Sequence, residues 1–329
     1  MLKKTIIALF GFGVSIVTII MLAKHIDLKE SWQHIAKMPL WILPLLAAIY
    51  VSSFFLRAYR WILMVENHNK MTFTANLHSV VVGFAGNNFL PARGGEFLRM
   101  EYYSRKSGVS RLSALTSVLT ERILDGLSLF LVLMVTLFAS KRLLDVSWLK
   151  SLSITAGILF GLLTIALVLA KTHSKWIQGI INIPGGKTTA VLSNIYEKIL
   201  HALSFLNADK KTLKILLSSI GIWIIEGLVY IITLSFFFPS INIIVAGYLC
   251  LSVVNFGLLV PSSPGYIGVF QAMTVLALSI FNVPSEIALS ISLVVHAMMF
   301  IPITLWGIII LVSNSISIIK KRSVDSSLA

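Results

Sequence analysis

The sequence predicts an all-α polytopic membrane protein with about six full spans and two re-entrant helical hairpins. Three observations lead there. Hydrophobic residues make up 57% of the 329, above the apolar share of a soluble domain. They gather in runs long enough to cross about 30 Å of hydrocarbon, which takes roughly 20 helical residues. Strand-period alternation is absent from those runs, so helices rather than a barrel must satisfy the backbone.

The chain opens with Lys3 and Lys4, then runs apolar from Thr5 to Ala23. That run exceeds the roughly 7 to 15 residues of a signal peptide core, and Leu22-Ala23-Lys24 is not a small-x-small cleavage site, so an uncleaved first span is expected. Asp27 to Met38 mixes Trp32 and Ile35 with charges, as an interfacial helix does, and Pro39 closes it. The second span, Leu40 to Met64, carries Arg57 and Arg60 near its far end, beside Trp61. These arginines either snorkel to the headgroups or face a cavity where they hold lipid phosphate.

Phe73 to Leu90 is apolar but broken by Asn76, His78, Gly83, Gly86, Asn87 and Asn88, and it ends at Pro91. Gly94 and Gly95 then allow a tight reversal, so the segment reads as half of a re-entrant hairpin. From Asn87 to Asp125 the chain concentrates charge: Arg93, Glu96, Arg99, Glu101, Arg105, Lys106 and Arg111, then Glu121, Arg122 and Asp125. An ionised group at the bilayer centre costs roughly 2.5 to 3.5 kcal/mol, so such a cluster is expected to pair and to line a hydrated cavity. Within the third span, Leu112 to Ala139, Glu121 and Asp125 share a face and Arg122 reaches Asp125 at i+3; a purely structural ion pair is the alternative.

The fourth span, Leu152 to Lys171, leads through Pro184 and glycines to an amphipathic helix over residues 187–208, with Leu192, Ile195, Ile199, Leu203 and Leu206 at helical spacing. Lysines 187, 198, 210, 211 and 214 surround it, fitting an anionic lipid surface on the cytoplasmic side. The fifth span, Leu213 to Phe238, holds Glu226 near its centre, either in the cavity or as a partner in helix packing. Ile243 to Val260 meets a second broken segment with Pro261, Pro264, Gly265 and Gly268. The last span, Ile287 to Val312, contains His296, and Lys320, Lys321 and Arg322 follow.

The two broken segments resemble each other, dividing one transmembrane domain, 1–329, into halves of about 1–150 and 151–320. An odd number of spans per half inverts the second, the plan of many transporters. Counting the hairpins as full helices gives eight or more spans instead. The excess of 27 Lys and Arg over 13 Asp and Glu follows from positive cytoplasmic loops, which put both termini in the cytoplasm. No nucleic-acid motif accompanies it, so no nucleic-acid partner is expected. The single cysteine, Cys250, lies in an apolar run and reads as a packed thiol.

The Asn-x-x-x-Pro-x-x-x-Gly-Glu-x-x-Arg pattern from Asn87 to Arg99, Glu-Arg-x-x-Asp from Glu121 to Asp125, the pair Arg60-Trp61, and Pro-x-x-Pro-Gly-x-x-Gly from Pro261 to Gly268 resemble the flippase-like transmembrane family named after lysylphosphatidylglycerol synthase, the membrane half of the multiple peptide resistance factor. The resemblance implies movement of an anionic or modified lipid, aminoacylated or linked to polyprenyl phosphate, between leaflets of a bacterial or archaeal cytoplasmic membrane. Family members that synthesise aminoacyl lipid carry a soluble transferase domain after the membrane part, and this chain stops at Ala329, so synthase activity is not carried over. A separate transferase is an expected partner.

The expected substrate-binding residues are Arg93, Arg99 and Arg122 for the phosphate, Arg57 or Arg60 for guiding it in, Glu96, Glu121 and Asp125 for orienting the arginines, and Glu226 for a headgroup amine or a proton. No hydrolase, metalloprotease or nucleotide-binding motif occurs, so no catalytic residue, metal or cofactor is expected. An intramembrane lipid transferase and a scaffold for another transferase are the competing classes.

Overall fold

The structure, a computed structural model, describes residues 2–65, 71–172, 174–183, 186–202 and 209–327. The described residues are helical, with no strand among them. The chain begins with α1 (Leu2–His25) and α2 (Leu28–Ala36), which meet at a bend of 84°. Asp27 makes the bend a clean helix start, since its carboxylate accepts from the amides of Lys29 and Glu30. The segment expected to lie at the interface is therefore helical over Leu28–Ala36.

Helix α3 (Ile42–Val65) follows, and then α4 (Phe73–Phe89), a short 3-10 turn (Pro91–Arg93) and α5 (Gly95–Ser107) form a hairpin. Helix α6 (Arg111–Ala139), the short α7 (Lys141–Leu144), α8 (Ser147–Thr172), α9 (Ser174–Ile181) and α10 (Gly186–Ala202) come next. Helix α11 (Lys210–Phe237) leads to a second hairpin of α12 (Ile243–Gly257), a turn (Pro264–Tyr266) and α13 (Val269–Ser279), and α14 (Ser285–Ser327) ends the chain.

Among the described residues, helices α3, α6, α8, α11 and α14 are long and apolar enough to cross a membrane, and the bent α1–α2 pair brings the number to six where it is counted as one span. The hairpin helices are shorter: the 17 residues of α4 reach only about 25 Å at ~1.5 Å per residue. Outward faces carry Val135, Phe138, Leu162 and Ile309, all exposed, as lipid-facing surfaces require. The protein is thus an all-α polytopic membrane protein. Of the amphipathic helix expected at 187–208, α10 presents exposed Leu192 and Ile195 and packs Tyr196 inward, against α6 among others; the end carrying Leu203 and Leu206 lies outside the described residues.

At the centre α3 lies along α11, burying Leu46, Phe54, Val229 and Tyr230. Each hairpin packs on helices of both sets, α4 against α3 and α14, α12 against α11 and α6. The first hairpin closes tightly because Gly95 has no side chain: a Cβ there would stand 2.1 Å from the Gly83 carbonyl oxygen. The reversal itself falls elsewhere than expected. Gly94 is helical (φ −58°), and Arg93 takes the left-handed conformation (φ 55°). The glycines serve close packing, and an arginine makes the turn, at a backbone cost of about 1 to 2 kcal/mol. In the second hairpin Gly265 and Gly268 turn the chain at φ 71° and 89°, with Tyr266 left-handed between them at φ 59°. Cys250 is fully enclosed in α12.

Candidate functional site: a charged cavity between two hairpins

Between the hairpins lies a cavity of about 540 Å³, lined by residues of α3, α4, α5, α6, α8, α11, α12, α13 and α14. Its polar end is built from Arg57, Arg93, Glu96, Arg122, Asp125 and Glu226. Its other walls are apolar, with Leu119, Leu129, Leu159, Leu163 and Met299 among them. Leu119 and Leu159 are exposed as well as lining the cavity, so α6 and α8 give it an apolar flank.

Arg57 is the hub. Its Nη2 and Nε donate to one oxygen of Glu226 at 2.7 and 3.2 Å, and its Nη1 donates to Asp125 at 3.3 Å. Ser53, one helical turn earlier, donates to the same Glu226 oxygen at 3.1 Å. Arg57 and Arg60 are 2% and 0% exposed, which overturns snorkelling: both turn inward because α6 and α11 supply carboxylates at the same depth. Glu226 lines the cavity and also ties α11 to α3.

Arg122 is the more accessible cation. Its Nη2 lies 2.7 Å from Glu121 and 3.3 Å from Asp125, the expected i+3 contact, and its Nε lies 3.7 Å from Glu96. Asn87 donates to Glu96 at 3.4 Å. The Phe84 ring sits 4.8 Å from the Arg57 guanidinium and 4.9 Å from that of Arg122, a cation–π arrangement that holds two like charges near each other.

Arg60, Arg99 and Glu121 do not line the cavity. They form a second layer behind it, where Arg60 contacts Asp125 at 2.7 Å and Glu121 at 3.2 Å, and Arg99 meets Glu121 at 2.8 Å while stacking on Trp61 at 4.0 Å. The expected phosphate role of Arg99 is therefore not what its surroundings favour: fully enclosed, it orients Glu121, which in turn orients Arg122. The two layers together hold four guanidinium groups (Arg57, Arg60, Arg99, Arg122) and four carboxylates (Glu96, Glu121, Asp125, Glu226), so their formal charges cancel. Pairing of this kind is what makes ionised groups tolerable away from water.

Arg93 stands at the cavity's edge, donating to the Leu258 carbonyl of the other hairpin at 3.2 Å. A smaller cavity of about 210 Å³ lies beyond it, lined by Pro261, Ser262 and Ser263 and sharing Asn87, Arg93 and Tyr266 with the first. Pro261 lines this smaller cavity, Pro264 and Gly265 form the turn that carries Tyr266, Gly268 packs against Ser15 and Ile19 of α1, and Pro91 opens the turn of the first hairpin. Among the described residues no group of three or more His, Cys, Asp and Glu is arranged to hold a metal.

The profile of the family described as lysylphosphatidylglycerol synthase TM region matches residues 8–307, which include both hairpins and every ionic residue of the site. The chain belongs to that family. A UPF0104 membrane protein of Methanocaldococcus jannaschii is 25% identical over 303 residues, covering 86% of this chain and 84% of its own. No solved structure matches the chain. For a lysylphosphatidylglycerol synthase membrane region, the site adds residues that carried no signal in the sequence: Phe84, Tyr50, Trp223 and Tyr266 line the cavity, yet each sits in an apolar or punctuated run where an aromatic ring is ordinary.

Outside the bundle's interior, Glu101 joins α5 to the start of α6. Its carboxylate accepts from Arg111 at 2.5 and 3.0 Å and from Arg105 at 2.5 Å. Those hydrogen bonds, that of Arg111 first, hold its pKa down to about 2.

Proposed function

We propose that the protein moves an anionic or modified lipid, an aminoacyl phospholipid or a polyprenyl-phosphate-linked lipid, between membrane leaflets, and performs no bond-making step itself. The observation that carries this reading is the mixed lining of the cavity, paired charges together with apolar walls. A lipid divides the same way: its phosphate suits guanidinium groups, whose planar donors engage two oxygens at once, and its acyl tails stay against apolar side chains.

In this mechanism Arg93 and Arg122 receive the phosphate, because they are the less enclosed arginines of the site. Arg57 waits deeper, and Glu96, Asp125 and Glu226 keep the guanidinium groups apart and accept a headgroup amine where one is present. The layer of Arg60, Arg99 and Glu121 keeps this constellation rigid. The order α3, hairpin, α6 recurs as α11, hairpin, α14, each hairpin touching helices of both sets, and this recurrence supports two inverted halves that rock about the cavity. In this reading the membrane is a bacterial or archaeal cytoplasmic membrane with both chain ends on the cytoplasmic side, where a separate transferase can deliver or collect the lipid.

The test is reconstitution in liposomes with fluorescent anionic and aminoacylated lipids, measuring how fast the label becomes accessible from outside. Wild type is expected to exceed empty vesicles clearly, and Arg122→Ala and Arg93→Ala to fall towards them. Rates for wild type equal to those of empty vesicles overturn the proposal.

A further inference from the structure

His296 lines the same cavity, on α14, but belongs to neither layer of ion pairs. Its ring stacks on Phe270 at 4.4 Å and 9°, and Phe300 meets it edge-on at 5.9 Å. Its Nδ1 lies 2.9 Å from Nε2 of Gln271.

The Gln271 amide has a fixed direction. Its Oε1 accepts from the Gly268 amide at 2.8 Å, so its NH2 group is the end that faces the imidazole. Nδ1 must then accept, which requires the neutral ring with its proton on Nε2. One neutral imidazole thus holds, through Gln271, the amide of Gly268, which with Gly265 shapes the second hairpin at positive φ.

We infer that His296 is a proton-binding site whose occupancy releases the tip of the second hairpin. A proton arriving from cavity water forms a bond to Nδ1, and Nδ1–H then faces the donor end of Gln271. Two donors cannot bond each other, so Gln271 must turn its oxygen to the imidazolium and give up the Gly268 amide. The bond from Gly268 to Gln271 and the charged ring exclude one another. Between these glycines stands Tyr266, which lines both cavities beside Arg93, so the change is delivered to the junction between the hairpins.

The surroundings set the charge consequence. From α3 the cavity presents Tyr50 and Arg57, from the first hairpin Arg93 and Glu96, from α6 Arg122 and Asp125, from α11 Glu226, and from the second hairpin Tyr266. Helix α2 also packs on α14, with Ser31 bonded to Ser290, and its Glu30 and His34 lie at that distant end. Three arginines and three carboxylates line the cavity, so one bound proton leaves it with a formal charge of +1. A phosphodiester headgroup brings −1. Proton and phosphate therefore favour each other's binding, and together they cross as a neutral pair. This last step rests on the lipid-transport reading; the proton site itself does not.

Hydrogen–deuterium exchange of the protein in nanodiscs separates the two. After correction for intrinsic exchange, residues 265–271 are expected to open about tenfold more in wild type at about pH 4 than at about pH 8, the loss of one hydrogen bond. His296→Gln and His296→Phe, the second preserving the aromatic stack, are expected to remove that dependence. Wild-type exchange that does not change with pH, or that changes equally in both variants, overturns the proton site. In liposomes of anionic lipid, an imposed pH gradient is expected to speed lipid movement in wild type and not in His296→Gln. Equal stimulation of both overturns the coupling, whereas absence of any movement in wild type overturns the transport reading and leaves the exchange result standing.

Discussion

Arg57 and Glu226 meet at 2.7 Å although 169 positions separate them, and their contact fastens α3 to α11 at the centre of the protein. Both side chains are nearly inaccessible, at 2% and 6%. The pair also borders the cavity, so one interaction serves the frame and the site.

Removing one partner leaves the other charge stranded. Glu226→Ala is expected to lower stability by about 3–5 kcal/mol, as for other broken buried pairs, measured by thermal unfolding in detergent. The double variant Arg57→Met, Glu226→Leu is expected to recover much of that loss while lipid movement stays low.

The two arginine layers are expected to separate by kind of effect. Arg122→Ala is expected to weaken lipid binding about 10- to 100-fold, the value of charge-assisted hydrogen bonds, with a modest change in melting temperature. Arg99→Ala is expected to lower the melting temperature through loss of the Glu121 contact and the Trp61 stack, while lipid affinity of the folded fraction changes less. A binding titration beside a melting curve for each variant checks both.

Close approach of α4 and α5 depends on Gly95. Its replacement by Ala puts a methyl group against the Gly83 carbonyl and the Asn87 amide, 2.1 and 2.3 Å away. The expected cost is about 1–3 kcal/mol of overpacking, read as a lower melting temperature. The same change at Gly13, where nothing lies within 4 Å, is expected to be nearly silent.

Acid should act on Glu101 in a defined window. Its folded pKa, about 2, lies below the ordinary 4.5, so the stability it lends is fully present above 4.5 and disappears as pH falls towards 2. Exchange protection of residues 107–111 is therefore expected to hold from neutral pH to about 4.5 and to fall below it. Glu101→Gln should remove that acid step.

The spans were legible because a 20-residue apolar run has few other uses, and the hairpins because Pro91 and Pro261 interrupt such runs among glycines. The charged stretch from Arg93 to Asp125 was legible as a site because ionised groups there demand compensation. Its division into layers was not. Arg99 and Arg122 look alike in sequence, and only the fold shows that one is shut behind Trp61 while the other borders the cavity. Arg57 and Arg60 misled for a related reason: proximity to a helix end suggests escape to the headgroups, and the partners that draw them inward lie far along the chain, on α6 and α11. The left-handed turn at Arg93 ran against the local preference, since Gly94 and Gly95 stood next to it.

Cys250 is the one thiol of the chain, and the protein closes over it completely. Water-soluble alkylating reagents will therefore find the native protein nearly blank. A cysteine introduced at Leu259 or Ser262 becomes the sole reactive position, and its labelling from one face of a vesicle or the other reports which way the chamber opens, with no background thiol to remove first.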